Sequence, residues 1–433
     1  MKRRHLLKGA LGVPLLTYGC GTSGHAAAEV FEFWNALFDS DTYINNFLPW
    51  WEEKIQALLP AGTRVSYGVL GYSSLEQRYL IAAQTGKPDL VEGVLSQVPI
   101  YQAPGLIEPL SERFLAWEEH DQFLQSALDP ITFNGALWGL PYIGNARALV
   151  YRKSVLKKHG LNVPATWDEL LEAARTISAN EPGMVGYMVT SRRGLVRGFQ
   201  EFMSHVYQLS DHLFLREEGA WRVELDVEGL SRVLDFYRAL FAGDPSPVPR
   251  VDRGKEALAM DRDYTVGKIA MVPNGPFLFG RRLQSDLQRQ ILEQDTGVAP
   301  LPVPTGGQAG TFLEVKTVMI NSHSRAKELA WEVAKLWCGQ QGITHHTVLG
   351  GDAPVRKDVL NNLNTLLDPA ALAWQASWAP IFPTGRALAP VPFDGAREAI
   401  FDAVQEAIFS NGPIVDVAKT LHKGLVAQAQ TFA

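Results

Sequence analysis

The chain is poor in cysteine, in basic residues and in long apolar runs. Its 433 residues include two cysteines, Cys20 and Cys338, and 40 basic side chains against 46 acidic ones. The net charge of −6 argues against the basic surface that nucleic-acid binding requires. Beyond the N-terminal segment, no apolar run reaches the roughly 20 residues that cross a membrane as a helix. If Cys20 carries a lipid, no intramolecular disulfide can form, and we expect Cys338 to be a small buried apolar residue.

Sequence motifs of common catalytic and metal sites are missing as well. The chain has no P-loop, no H-E-x-x-H, no G-x-S-x-G and no C-x-x-C. A literal G-x-G-x-x-G at Gly19–Gly24 follows no strand, so we interpret it as a linker. We therefore predict no metal site and no cofactor. A carboxylate pair for glycoside hydrolysis stays open among the 46 acids, although nothing in the sequence marks a particular pair.

Residues 1–19 have the pattern of an export signal, with a cationic start followed by a short apolar segment. The run Arg3-Arg4-His5-Leu6-Leu7-Lys8 resembles the twin-arginine motif, which directs the export of folded proteins. We therefore expect the protein to work in the periplasm or at the outer face of the cell membrane.

The segment Leu16-Thr17-Tyr18-Gly19-Cys20 resembles a lipobox, in which the cysteine is lipidated and becomes the new N-terminus. Thr17 and Tyr18 differ from the usual leucine and small residue, and Ala26-Ala27-Ala28 offers a second cleavage site. We expect a lipid anchor at Cys20, followed by a flexible tether over residues 20–28.

The length of the chain favours two lobes rather than one core. Strand and helix patterns alternate from residue 30 onward, and the predicted elements are a strand at Val30–Trp34, a helix at Asp41–Leu59, a strand at Val65–Val69, a helix opened by a capping box at Ser73–Glu76 and a strand from Pro88. This order is typical of a parallel α/β sheet, whose ligands bind at the carboxyl ends of the strands. A second capping box, Thr166–Glu169, opens another helix, and the chain is mostly helical from Ser324.

At "ALWGLPYIGNARALVYRKSVLKKHGLNVPATWDELLEAARTIS" the sequence resembles the family 1 extracellular solute-binding proteins, the maltose-binding-like group of ABC importers. The resemblance continues in "GKPDLVEG", "VGKIAMVPNGPFLFG", "AKELAWEVAKLWCG" and "APVRKDVL". It implies an α/β, two-lobed periplasmic-binding-protein fold of type II, with three hinge crossings and a helical C-terminal tail. It also implies a monomeric binding protein, not an enzyme, that closes on a carbohydrate and delivers it to ABC transporter permease subunits.

The resemblance places the first lobe at residues 29–142 plus 300–318 and the second at 143–299 plus 319–433. The hinge crossings would lie at Pro141–Asn145, Gly297–Pro302 and Val318–Asn321. The ligand contacts that it implies follow strands or lie at the hinge, and they are Trp34, Asn35, Tyr72, Ser96, Gln97, Tyr142, Asn145, Asn274, Phe277, Glu314, Lys316 and Phe393. For each aromatic residue among them, core packing is the alternative.

Sugars suit this set of residues, because their apolar faces stack on rings while their hydroxyl groups bind amides and charged side chains. Two alternatives stay open. One is a non-sugar polar solute such as a phosphorylated polyol, for which Arg192 and Arg193 offer positive charge, or a polyamine. The other is a secreted glycosidase.

Overall fold

The computed structural model describes residues 29–432, so the predicted export signal, the tether and Cys20 lie outside the described residues. Its strands, numbered along the chain, are β1 (Val30–Asn35), β2 (Arg64–Val69), β3 (Leu90–Gly93), β4 (Thr132–Phe133), β5 (Ala136–Leu137), β6 (Leu140–Ala146), β7 (Ala148–Arg152), β8 (Val185–Tyr187), β9 (Phe214–Glu217), β10 (Ala220–Val223), β11 (Ile269–Asn274), β12 (Thr296–Ala299), β13 (Thr311–Ile320) and β14 (Gly385–Arg386).

The α-helices are α1 (Leu48–Leu58), α2 (Tyr72–Ala82), α3 (Gln97–Gln102), α4 (Ser111–Leu115), α5 (Gln125–Leu128), α6 (Lys153–Lys158), α7 (Trp167–Asn180), α8 (Val196–Tyr207), α9 (Val227–Phe241), α10 (Ala257–Thr265), α11 (Asp286–Gln290), α12 (Lys327–Cys338), α13 (Gln340–His345), α14 (Lys357–Leu360), α15 (Leu363–Leu366), α16 (Pro369–Trp378), α17 (Asp394–Phe409) and α18 (Ile414–Ala429). A 3₁₀ helix covers Pro276–Leu283. Within residues 29–432, no helix combines the length and the apolar character needed to cross a bilayer.

The first sheet has the order β14-β13-β3-β1-β2, and β6 also pairs with β13. β1 is parallel to both β2 and β3, as the sequence predicts, so the carboxyl ends of these three strands lie at one edge. β13 runs antiparallel to β3, with Thr317 opposite Gly93 at the end of β3. The first half of β13 therefore extends past that edge, where it pairs with β6.

The second sheet has the order β12-β7-β11-β8. β7 is antiparallel to β11 and β12, whereas β8 is parallel to β11. Helix α7 packs on β8 and on α9. Two separate sheets with their own helices confirm the predicted two-lobed α/β fold.

Each lobe has its own aromatic core. In the first lobe, Trp337 of α12 packs edge-on against Phe33 of β1 and Trp51 of α1, with ring centroids 5.0 and 4.9 Å apart. In the second lobe, Trp167 at the start of α7 stacks on Phe236 of α9 at 4.5 Å. Such pairs add to the burial of apolar surface that stabilises each lobe.

Within residues 29–432, three segments carry the chain between the lobes. β6 ends in the first sheet at Ala146 and β7 begins the second at Ala148, which leaves Arg147 between them. The chain returns over residues 300–310, between β12 and β13. It leaves the first lobe again between α14 and α16, because α12 packs on α1 whereas α16 packs on β12. This crossing lies later than the expected one at Val318–Asn321, since the second half of β13 pairs with β3.

The exact lobe boundaries expected from the sequence stay a prediction. From the strand pairing and helix packing, we propose residues 29–146 and 311–360 for the first lobe and 148–299 and 369–432 for the second. β14 is the exception, because it lies within the last segment and pairs with Thr311 and Phe312 at the start of β13. The helical C-terminal region is present, and its last two helices, α17 and α18, pack on α9 of the second lobe. Cys338, at the end of α12, is fully buried as predicted.

The two predicted capping boxes have different outcomes. At α7, Thr166 Oγ1 accepts a hydrogen bond from Glu169 N, and the Glu169 carboxylate accepts one from Thr166 N, each at 3.2 Å. This box is confirmed. At α2 the N-cap is Gly71, without a side-chain hydrogen bond, so the box predicted at Ser73–Glu76 is wrong.

Ser73 and Glu76 instead contact the second lobe. Ser73 Oγ donates to the carbonyl oxygen of Gly194 at 2.6 Å. The guanidinium of Arg397, in α17, donates hydrogen bonds of 3.0 and 2.5 Å to the two carboxylate oxygens of Glu76. The two lobes are therefore in contact along α2, and we refer to Glu76 and Arg397 as the interlobe ion pair.

Candidate functional site

Glu92 is a buried carboxylate near the carboxyl end of β3. Its oxygens accept hydrogen bonds from the Tyr72 hydroxyl at 2.6 Å, from the Tyr142 hydroxyl and from Ala36 N at 2.7 Å. Burial and the neighbouring Glu92 charge raise the pKa of both phenols, which therefore stay protonated donors. Sequence reasoning misses Glu92, although an acidic residue directly after the apolar pair Leu90-Val91 of a predicted strand is a signal that could have found it.

Asn35 and Trp34 end β1 beside this cluster. Asn35 is fully buried, and its Oδ1 accepts a hydrogen bond from Phe38 N at 3.0 Å. Its Nδ2 has no hydrogen-bond partner in the part of the chain that the structure describes. Trp34 is half-buried and lies over Gly68 of β2, where a Cβ atom would come within 2.3 Å of the indole ring. The glycine thus makes room for the tryptophan.

Ser96 and Gln97 lie at the start of α3, after β3. Gln97 is buried, accepts a hydrogen bond from Val94 N at 3.0 Å and donates one to the carbonyl oxygen of Tyr72 at 2.9 Å. Ser96 is also buried but does not cap α3 with its side chain. These bonds fix the position of Tyr72 relative to the end of β3.

The hinge strands contribute a second set of polar side chains. Asn145 of β6 donates a 3.4 Å hydrogen bond to Asp352, while its Oδ1 is buried and without a partner among residues 29–432. Glu314 of β13, directly opposite Asn145, accepts hydrogen bonds from Leu95 N at 2.6 Å and from the amide of Gln200. Gln200 belongs to α8, so Glu314 connects the first lobe, the hinge and the second lobe.

The two faces of β13 have different character. Glu314 and Lys316 share one face, and the Lys316 ammonium lies 5.3 Å from the centre of the Tyr72 ring. Leu313 and Val315 face the other way and line a largely apolar cavity of about 490 Å³, bounded also by residues of α14 to α16. The hydrogen-bonding groups converge on the first face, so the candidate site for a polar ligand lies there and not in the cavity behind the hinge.

The second lobe adds a polar wall after β11. Arg197 of α8 donates hydrogen bonds of 2.7 and 3.0 Å to the two carboxylate oxygens of Asp261. Asn274 donates to the same Asp261 carboxylate at 2.8 Å and accepts from Gly275 N at 2.9 Å. Sequence reasoning misses Arg197 and Asp261, because partners 64 residues apart leave no local pattern.

Gly275 allows the residues after β11 to approach the hinge residue Asn145 closely. A Cβ atom at this position would lie 2.3 Å from Asn145 Oδ1 and 2.4 Å from the ring of Phe277, so a larger residue would displace both. The half-buried Phe277 ring also lies within 5.3 Å of the Arg197 guanidinium carbon. The structure therefore brings Asn145, Asn274 and Phe277 together.

Phe393 does not join this group. Its ring is 1% exposed and packs against Phe199 and Phe214, with centroid distances of 5.8 and 5.2 Å. The structure places Phe393 in the aromatic core of the second lobe, so the alternative of core packing applies to it.

Burial changes the titration of three carboxyl groups around the cleft. It raises the pKa of Glu314 and of Glu201 to about 7, and that of Asp352 to about 6. Among residues 29–432, no group of histidine, cysteine, aspartate and glutamate side chains is arranged to hold a metal ion. Among the described residues, buried polar atoms without a partner, such as Asn35 Nδ2 and Asn145 Oδ1, can bind a polar molecule.

We expect these carboxyl groups to make the free energy of unfolding decrease as the pH rises from about 4 to about 8. Each folded-state pKa lies above its unfolded value, so the folded state binds more protons in this range. The stability that these groups contribute is fully present below their pKa in the unfolded state. It is lost as the pH rises through their pKa in the folded state. Urea unfolding across this range should show a shallower decrease for Glu314→Gln, whereas Glu228→Gln, an exposed control, should follow the wild type. Equal slopes for Glu314→Gln and wild type would contradict the expectation.

The fold is that of the two-lobed solute-binding proteins. Maltose-bound MalE3 of T. maritima has a TM-score of 0.78 at 24% identity, over 92% of this chain and 99% of that one. An ABC transporter solute-binding protein of Thermotoga lettingae, bound with α-D-tagatose, has a TM-score of 0.75 at 24% identity, over 92% and 100%. The maltotriose-binding protein of Thermus thermophilus, bound with maltotriose, has a TM-score of 0.74 at 22% identity, over 92% and 99%.

Sequence comparison gives the family. The mannitol-binding protein of Pseudomonas aeruginosa is 25% identical over 339 residues, which are 76% of this chain and 75% of that protein. A putative binding protein of Brucella abortus is 24% identical over 304 residues, 69% and 70% of the two chains. The model of the bacterial extracellular solute-binding protein family matches residues 47–339. The chain belongs to this family.

Proposed function

We propose that this protein captures a carbohydrate between its lobes and delivers it unchanged to the permease subunits of an ABC importer. The observation that carries the proposal is the convergence of buried hydrogen-bonding side chains from the first lobe, the hinge and the second lobe, among them Glu92, Asn145 and Asn274. Maltose, maltotriose, α-D-tagatose and mannitol in the names of the related proteins support the same ligand class.

The proposed ligand contacts come from both lobes and the hinge. They are the predicted residues without Phe393, namely Trp34, Asn35, Tyr72, Ser96, Gln97, Tyr142, Asn145, Asn274, Phe277, Glu314 and Lys316. A sugar hydroxyl group both donates and accepts hydrogen bonds. The unpaired donor Asn35 Nδ2 and the unpaired acceptor Asn145 Oδ1 suit such groups, while the rings of Tyr72 and Phe277 offer apolar surface for a sugar face.

Closure of the lobes follows from the same arrangement. A ligand that binds both lobes stabilises the conformation in which they are close, and so shifts the population towards it. The connecting segments at Arg147 and residues 300–310 would act as hinges, since a few residues can absorb the rotation of whole lobes. The interlobe ion pair, Glu76 and Arg397, would form as the cleft closes.

A thermal-shift panel tests the proposal. Mono- and oligosaccharides, including maltose, maltotriose, tagatose and mannitol, are compared with polyamines and phosphorylated polyols. A ligand at 100 times its Kd should add about 2.7 kcal/mol to the free energy of unfolding. The best sugar should then be recovered intact by chromatography after long incubation. Conversion of that sugar would support a glycosidase, and stabilisation by the non-sugars alone would remove carbohydrate from the proposal.

We further infer that the protein is exported by the twin-arginine route and held at the membrane, as a monomer, by a lipid on Cys20. The double variant Arg3→Lys, Arg4→Lys should leave the precursor in the cytoplasm. Cys20→Ala should move the protein from the membrane fraction to the soluble fraction, whereas Cys338→Ala should not. Cell fractionation with immunoblotting measures both. A soluble wild-type protein that begins at Glu29 would contradict lipidation and favour cleavage after Ala28.

A further inference from the structure

Arg147 occupies the passage between the two sheets and has no place in the predicted site. Its backbone is held on both sides by Thr311, whose Oγ1 accepts a hydrogen bond from Arg147 N at 3.1 Å and donates one to Arg147 O at 2.7 Å. The residue is 5% exposed. The guanidinium is therefore a buried cation whose attachment to the hinge is fixed.

Most of the hydrogen-bonding capacity of this guanidinium is unused. A guanidinium carries five N–H donors, and among the described residues only Nη2 has a partner, the Gln200 side-chain oxygen. Nε and Nη1 are buried without a partner in residues 29–432. A buried charged group without partners is costly, so this geometry favours a ligand that supplies the missing acceptors.

Carboxylates in the vicinity are already engaged with other groups. Asp261 binds Arg197 through both oxygens. Glu314 accepts from Leu95 N and from the amide of Gln200, the residue that also contacts Arg147. Within the described chain, no carboxylate forms a salt bridge with Arg147.

Glu201 is bound to Thr190, with hydrogen bonds of 2.7 and 3.1 Å from the backbone N and the hydroxyl group. Burial and the adjacent Arg197 charge lower the pKa of Arg147 to about 10, which keeps it cationic at neutral pH. The charges of Glu201, Glu314 and Asp261 act on Arg147 in the opposite sense and raise its pKa, but none of these carboxylates forms a salt bridge with it within the described chain.

We infer that Arg147 selects the charge of the ligand, and that the carbohydrate bound in this cleft is a sugar acid whose carboxylate is held by the Arg147 guanidinium. The inference rests on the proposed function and narrows its substrate class. A carboxylate supplies two acceptor oxygens and one negative charge, which match the two unpartnered nitrogens, Nε and Nη1, of a guanidinium without a salt bridge within residues 29–432. A phosphate group carries a charge nearer to −2, so the buried carboxyl groups of Glu92, Glu314 and Asp352 would repel it more strongly than they repel a carboxylate.

The ligand-side experiment uses calorimetry of the purified protein with matched sets of saccharides of one to three units. Each set contains an acidic form (glucuronate, galacturonate or their oligomers), its methyl ester, the neutral parent sugar and the parent sugar phosphate. We expect the acid to bind at least about tenfold more tightly than its ester, because a hydrogen bond to a charged group is stronger than one to a neutral group.

Three outcomes of that titration would overturn the inference. Equal or tighter binding of the ester or the neutral sugar overturns the inference while the proposed function stands. Tighter binding of the phosphate overturns the assignment to a carboxylate. If none of these saccharides binds, the inference fails, while the thermal-shift panel with maltose, maltotriose, tagatose and mannitol decides the proposed function separately.

Substitution of Arg147 separates recognition from a structural role. Arg147→Met keeps the length of the side chain and removes its charge, and we expect the acid-to-ester affinity ratio to fall to about one. Arg147→Lys keeps the charge and should retain part of the preference. If Arg147 had only a structural role, Arg147→Met would lower the affinities for the acid and for its ester by the same factor. A preference for the acid that survives in Arg147→Met overturns the inference. If the methionine variant does not fold, the lysine variant and the ligand-side titration still decide.

Discussion

Replacing Phe277 by alanine is expected to weaken carbohydrate binding by about 1–3 kcal/mol, which is roughly 5- to 150-fold in Kd. The half-buried ring lies 5.5 and 5.3 Å from the guanidinium carbons of Arg147 and Arg197. Its removal takes away a surface for the sugar face and the group that both guanidiniums pack on. Because the ring is only half-buried, stability should decrease less than for a core phenylalanine. Calorimetric titration and urea unfolding of the same variant measure the two effects.

Phe393→Ala is the matched control and should show the opposite pattern. Its fully packed ring fills the core of the second lobe, and truncation of such a ring costs about 3–5 kcal/mol of stability. The Kd of the molecules that remain folded should hardly change. Phe277→Trp should keep binding, because a larger aromatic face can still stack. A Phe277→Ala protein with normal affinity and a large loss of stability would show that Phe277 is a core residue.

Breaking the interlobe ion pair should weaken ligand binding without loosening either lobe. Glu76 is 6% exposed and is bound by Arg397 through two hydrogen bonds. In Arg397→Met, closing the cleft buries an unpaired carboxylate, and removing one partner of a buried pair costs about 3–5 kcal/mol. We expect Kd to rise at least about tenfold, because the apparent affinity falls with the fraction of molecules that can close. Calorimetric titration measures this change.

A matched control comes from an exposed ion pair within one lobe. Arg222 and Glu217 pair across the β9–β10 hairpin at 2.6 Å, with about half of each side chain exposed. Arg222→Met should change Kd little, because exposed pairs contribute about 0–1 kcal/mol. The double variant Glu76→Gln, Arg397→Met should recover part of the lost affinity, since it leaves no buried charge. Normal binding by Arg397→Met would show that closure does not depend on this contact.

Local patterns predict the α/β class and several elements, whereas the two-lobed fold with its hinge crossings was implied by the family resemblance. Alternation at Val30–Trp34 predicts β1, and the Thr166 capping box starts α7 as expected. The same local rule fails at Ser73, because its hydroxyl group and Glu76 bind the other lobe instead of capping α2. Local sequence does not show such competition from residues more than a hundred positions away.

The candidate site was harder to predict than the fold. The resemblance points to Asn145, Asn274 and Phe277, which the structure brings together. The charges around them arise from pairs such as Arg197 with Asp261, formed only when distant segments fold against each other. The position of Arg147 is unusual in the sequence, because a single arginine separates two apolar segments that form the buried strands β6 and β7. Without the fold, however, nothing shows that its donors lack partners.

We propose that the two lobes close on a carbohydrate. This closure can be measured by small-angle X-ray scattering of the purified protein, with and without a saturating concentration of the most stabilising sugar. We expect a smaller radius of gyration in the presence of the sugar, and we expect Arg397→Met to need a higher sugar concentration for the same change. Identical scattering curves with and without a sugar that calorimetry shows to be bound would contradict it.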